Sequence, residues 1–176
     1  MTKKSIILSL LFIAFALLFY SCEQTTNPVE DAVKMSKADI EKSIGYEWFA
    51  PEWEIYKPDT SIVSQIQAAF DSANEKFYIF LSPSCGCKGI AKTSAELVKV
   101  LDESKIPDSN YELYSMSGTN SKHPYMDMIK INTIPSAYYI KNGKPVYSIL
   151  DTFIYYQNIA HTRTIENIVL DAITNY

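Results

Sequence analysis

The sequence has little cysteine, no surplus of basic charge and no internal repeat or low-complexity block. The absence of repeats removes the stacked-repeat architectures, in which each unit rests only on its neighbours. The charge balance removes another class. Taking away residues 1–21 removes Lys3 and Lys4 and no acid, so the 16 basic residues fall to 14 against 20 acidic ones, about −6. Such a surface offers no basic patch for phosphates, so nucleic acid is not an expected partner. The apolar stretch from Ile6 to Tyr20 is too short for a comfortable membrane span. About 154 residues follow Cys22, which suits one domain with a core of ordinary size.

What stands at the start is a secretory layout. Lys3 and Lys4 precede the apolar stretch, and Ser21 is a small residue at its end. Phe19-Tyr20-Ser21-Cys22 resembles a bacterial lipoprotein box, although Phe19 and Tyr20 replace its usual leucine and small residue. The resemblance implies that residues 1–21 are a lipoprotein-type signal peptide and that Cys22 carries the lipid. The protein is then exported and lipid-anchored to a membrane of the periplasm or cell envelope. The alternative is an ordinary signal peptide, or an uncleaved anchor, with Cys22 incidental. With Cys22 lipidated, Cys85 and Cys87 remain as a pair in a compartment where disulfides persist. Residues 22–44 are expected to be a tether, polar over 23–35, followed by a short helix from Ser36 to Ile44, with the domain occupying 45–176.

Hydrophobic periodicity then alternates between two values. Glu52 to Tyr56 is a first expected strand, and Ile62, Val63, Ile66, Phe70 and Ala73 share one helical face. Phe77 to Leu81 is apolar throughout, as a strand covered on both faces requires. Ile90, Leu97, Val98 and Leu101 form the next helical stripe, Tyr111 to Met116 a strand, and Pro124 to Ile131 a short helix. Ala137–Ile140 and Val146–Leu150 flank Lys141-Asn142-Gly143-Lys144, whose Asn-Gly suits a type I′ hairpin turn. Ile165, Ile168, Val169, Ala172 and Ile173 mark a last amphipathic helix. The expected order is βαβαβαββα, an α/β fold.

That order, with Ser84-Cys85-Gly86-Cys87-Lys88 between the second strand and second helix, resembles the thioredoxin fold over roughly residues 50 to 176. Ile131-Asn132-Thr133-Ile134-Pro135-Ser136-Ala137 through Lys144 is similar to the thioredoxin segment that runs from its cis-proline into the terminal hairpin. The resemblance implies a central mixed sheet flanked by helices, a cis peptide at Pro135, and substrate backbone contacts at Thr133, Ile134 and Pro135. It also implies thiol–disulfide exchange with protein thiols and disulfides, and a redox partner that recharges the pair. No cofactor is implied, because the cysteines carry the electrons. Three departures stand out. One residue separates the cysteines instead of two, Ile79 stands where the family has a buried acid, and Ser84 replaces the tryptophan before the first cysteine.

A thiolate at a helix N-terminus meets unpaired backbone N–H groups and the positive end of the helix dipole, which lowers its pKa. Cys85 is therefore the candidate attacking thiol and Cys87 the resolving one, with Lys88 as added positive charge. Residues i and i+2 of a helix point in nearly opposite directions, so pairing Cys85 with Cys87 needs the chain to leave helical geometry at Gly86, which glycine permits. A staple reading is weak, because so small a loop removes little unfolded-state entropy. A metal reading has two thiolates suited to Cu(I) or Zn, with His123 and the sulfurs of Met116, Met126 and Met128 as further donors. A thioredoxin-fold interaction protein without turnover is the third reading. His161 is expected at the surface, Trp48, Phe49 and Trp53 in the core, with the shaping of a substrate groove as their alternative, and Tyr138, Tyr139, Tyr155 and Tyr156 over the sheet or its edge.

Overall fold

The computed structural model describes residues 31–83, 89–159 and 163–176. Within them the chain is an α/β fold around a five-stranded, mixed, open sheet in the order β1-β3-β2-β4-β5. The strands are β1 (Val33–Met35), β2 (Glu75–Leu81), β3 (Tyr111–Ser115), β4 (Ser136–Lys141) and β5 (Lys144–Ser148). The helices are α1 (Lys37–Lys42), α2 (Phe49–Ile55), α3 (Thr60–Ala69), α4 (Ile90–Glu103), α5 (Ile149–Asn158) and α6 (Ile165–Asn175). Strand β2 runs parallel to β3 and antiparallel to β4, and β4 turns back into β5.

β2 sits in the middle because its sequence can be buried on both faces. Phe77, Ile79 and Leu81 join the cluster to which every α-helix described here contributes buried residues, while Tyr78 and Phe80 join a second cluster on the opposite face. That second face carries no helix among the described residues. It is closed by Tyr125, Ile129, Ile131 and Ile134, from the stretch between β3 and β4. The hairpin turn has positive φ at both Asn142 (52°) and Gly143 (74°), as a type I′ turn requires.

Several expectations are corrected. Glu52–Tyr56 lies in and just after helix α2, not in a strand: Phe49, Trp53 and Tyr56, spaced i, i+4 and i+7, pack on the helix-covered core. Pro51 sits in the first turn, where its missing N–H costs nothing. The first strand is instead β1, which pairs antiparallel with β3 inside the stretch expected as tether, so the sheet begins before residue 45. Pro124–Ile131 forms no helix beyond one turn closed by Ile129 N–H on the Tyr125 carbonyl (2.8 Å). It then extends, so that Ile129 and Ile131, two apart, can both reach the sheet. Leu150 belongs to α5, which was not expected at all, and β5 ends at Ser148. Phe49 is fully buried, with Trp48 and Trp53 half-buried against the core. Tyr139 is in the core, but Tyr155 is exposed on α5.

Candidate functional site

The cysteine pair is approached along β2. Leu81 is the last residue of the strand, Ser82 is buried and Pro83 half-buried, and the chain is described again from Gly89, which precedes α4 with φ of 121°. Ser84, Cys85, Gly86, Cys87 and Lys88 lie outside the described residues, as do Cys22, residues 1–21 and His161. The N-terminus of α4 therefore follows the pair closely in sequence, and no side chain among the described residues caps it.

The neighbouring strand brings the second predicted element to the same end of the sheet. Phe80 is in register with Ser136, which places Pro135 across from the end of β2. The Ile134–Pro135 peptide bond is cis. Pro135 is buried, Ile134 half-buried and Thr133 exposed, so the three present a graded edge beside the strand end.

His123 stands at this end on the helix-free face, its ring against Phe80 at 5.0 Å between centroids. Its Nδ1 is buried and has no hydrogen-bond partner among the described residues. Burial holds the imidazole pKa below its ordinary value, favouring the neutral ring. The sulfur donors considered with it do not share one environment: Met116 is in the core, whereas Met126 and Met128 are exposed. Among the described residues no group of three or more His, Cys, Asp or Glu side chains could hold a metal ion.

Ile79 is fully buried on the helix-covered face. The buried carboxylates lie elsewhere. Glu75 is at the opposite end of β2, paired with Lys141 at 3.4 Å. Glu96 is on α4, where burial raises its pKa and Lys92, at 3.5 Å, opposes the rise. Glu166 on α6 accepts the Tyr56 hydroxyl at 2.5 Å.

One contact at the strand end was not foreseen. The turn between α1 and α2 lies on Pro83: a Cβ added to Gly45 would fall 2.6 Å from the Pro83 carbonyl oxygen and 2.8 Å from its Cβ. Trp48 Nε1 donates to the Gly45 carbonyl at 3.1 Å, and the Tyr46 hydroxyl donates to Ser115 Oγ at 2.9 Å. The only sequence signal was a glycine just past a helix end, which by itself reads as a stop.

No protein-family model matches the chain. Comparison with curated proteins finds no match either.

Proposed function

We propose that the protein is an exported, lipid-anchored thioredoxin-like domain that exchanges thiols and disulfides with protein substrates through Cys85 and Cys87. The observation that carries this reading is positional. The Cys-Gly-Cys sequence falls between the end of the central strand β2 and the start of the 14-residue helix α4, and the cis Ile134–Pro135 bond lies one strand away at the same end. The hairpin β4–β5 follows, and the amphipathic helix α6 closes the chain as the resemblance expects, with the additional helix α5 between them.

In the proposed chemistry the Cys85 thiolate, favoured by the N-terminus of α4 and the Lys88 charge, attacks one sulfur of a substrate disulfide. A mixed disulfide forms and one substrate thiolate leaves. The Cys87 thiolate then attacks Cys85 Sγ, releasing the second substrate thiolate and leaving the Cys85–Cys87 disulfide. Two electrons pass to the substrate, and the reverse sequence oxidises substrate dithiols. A disulfide closed across one residue is expected to be strained, which favours the oxidising or isomerising direction. With isoleucine at position 79, proton transfer falls to water or to another group.

Trapping the intermediate tests the reading. The Cys87→Ser variant, mixed with a disulfide-bonded protein, should accumulate a reducible covalent adduct at Cys85, and Cys85→Ser should accumulate none. Absence of adducts from both variants, each folded, contradicts it. Labelling with palmitate, lost in Cys22→Ala, tests the anchor.

The second reading is a copper-binding module, favoured by the buried, unpartnered Nδ1 of His123 near the same strand end. Cu(I) bound stoichiometrically by the reduced protein, and weakened in His123→Ala, would select it over exchange.

A further inference from the structure

The Ser43–Trp48 turn has a geometry that its own stability does not explain. Gly45 has φ of 89°, a conformation that residues with a Cβ rarely adopt, and of the three atoms nearest to a built Cβ two belong to the Pro83 backbone. Backbone cannot swing aside as a side chain can, so glycine is the residue that allows this approach. The turn is held from several directions. Gly45 N–H donates to Glu47 Oε1 at 3.0 Å, and Tyr46 N–H to the Ser43 carbonyl at 3.2 Å. Tyr46 and Phe49 are buried in the core, and the Tyr46 hydroxyl reaches Ser115, the residue in register with Leu81. The turn and the end of β2 are thus fixed to each other through β3. Pro83, in contrast, has no N–H with which to extend the ladder, and its φ is set by its ring. Its remaining freedom is the direction of its carbonyl, and that carbonyl faces Gly45.

We infer that Gly45 is a positioning residue for the cysteine pair: by seating the Ser43–Trp48 turn on Pro83 it fixes the direction in which the chain leaves β2, two residues before Cys85. The inference rests on the exchange reading for its redox consequence, but not for the positioning itself. A disulfide across Gly86 requires a particular departure from helical geometry, so the entry direction biases the balance between dithiol and disulfide. In a glutathione buffer that balance is one Cys85–Cys87 disulfide plus two glutathione thiols against the dithiol plus one glutathione disulfide, with two electrons exchanged.

The test compares two glycines that both have positive φ. Gly143, in the β4–β5 hairpin with φ of 74°, has no atom within 4 Å of a built Cβ, so Gly143→Ala carries the backbone strain without the contact. Both variants are made in the Cys22→Ser chain, purified in detergent, with folding followed by circular dichroism. Gly45→Ala should change the alkylation rates of the reduced Cys85 and Cys87, and their equilibrium constant with glutathione, by about fivefold or more, the scale that local backbone strain sets. Gly143→Ala should leave both within about twofold, as a distant independent site does. Unchanged alkylation rates in folded Gly45→Ala, or equal changes in the two variants, would overturn the inference. Altered rates with no reversible disulfide in any variant would support the positioning role and sink the exchange reading.

A second measurement leaves position 45 intact. The chain has two tryptophans, so Trp53→Phe leaves Trp48, bonded to Gly45, as the single reporter. Its emission should change on oxidation or alkylation of the pair. Emission that stays flat through both would count against the turn as a positioning element.

Discussion

At its N-terminal end β2 starts from Glu75, whose carboxylate, 3% exposed, takes Lys141 at 3.4 Å and the Asp71 amide at 3.0 Å. At the other end the chain leaves through Pro83, under a glycine turn, with the unpartnered Nδ1 of His123 against Phe80. The first end is closed further by Asn110 Nδ2, which donates to the carbonyls of Ser72 (2.7 Å) and Glu75 (2.8 Å), and by Asn142 N–H on the Asn74 carbonyl (2.8 Å). Most polar groups there are tied in place, and the Tyr139 hydroxyl near Glu75 is the buried exception, without a hydrogen-bond partner among the described residues. The second end keeps His123 Nδ1 and Ser136 Oγ buried without a hydrogen-bond partner among the described residues, which costs stability in any fold that gains nothing from them. The difference teaches where to look for chemistry: a strand end tied by an ion pair and backbone hydrogen bonds holds the sheet, and the end with an unpartnered imidazole nitrogen is the place to test for a reaction.

The largest way to break the comparison is at the cysteines. On the exchange reading, Cys85→Ser and Cys87→Ser should each reduce catalysed turnover of a protein disulfide to the background rate, with thermal unfolding unchanged. Glu75→Gln should do the opposite. It should cost about 2 kcal/mol in denaturant unfolding, the range for breaking a buried charged contact whose lysine can still reach water, while the redox midpoint of the cysteines stays in place.

Midway along the sheet, Glu112 separates the two ends and is sensitive to acid. Burial alone would raise its pKa, but hydroxyls of Tyr125 (2.6 Å) and Tyr114 (2.7 Å) and the Lys34 ammonium (3.0 Å) hold it below its ordinary value near 4.5. A carboxylate lowered on folding contributes stability above its unfolded pKa and loses it as pH falls through the folded one. Tyr125→Phe should therefore cost about 1.5 kcal/mol at neutral pH, with the difference from wild type shrinking below pH ~4.5 in acid titrations followed by circular dichroism. The smallest effect is expected at the open end. His123→Phe should be neutral or stabilising by roughly 0.5 kcal/mol in the same unfolding assay, because it removes a buried atom that has no partner. A loss above about 2 kcal/mol would mean that His123 is already paired in solution.

The middle of the fold was legible because its signals are local. The all-apolar run Phe77–Leu81 has the length and pattern of a two-sided strand, Asn142-Gly143 wrote the hairpin, and the stripes on α4 and α6 matched the helical period. Where signals conflicted, the shorter pattern misled. Glu52-Trp53-Glu54-Ile55 alternates like a strand, yet Phe49, Trp53 and Tyr56 outweigh it once a core exists to receive them. β1 has three residues, mostly exposed, and carries no period to read. For α5 a start signal was present, Ser148 followed by Asp151, whose side chains bond at 2.7 Å. The β-favouring Phe153-Ile154-Tyr155-Tyr156 obscured it. Of the candidate site, the Cys-Gly-Cys sequence and Pro135 could be read in one dimension. Gly45 on Pro83 could not, since a contact between residues 38 apart leaves no pattern in either segment.

The most direct test of exchange is the redox equilibrium of Cys85 and Cys87 in the Cys22→Ser chain, poised in glutathione buffers and read by alkylation after metal is removed. The account predicts one reversible two-electron transition, with a midpoint between about −270 and −120 mV, the span of known exchange proteins. Thiols that stay unpaired under oxidising buffer, in a chain that remains folded, would contradict it.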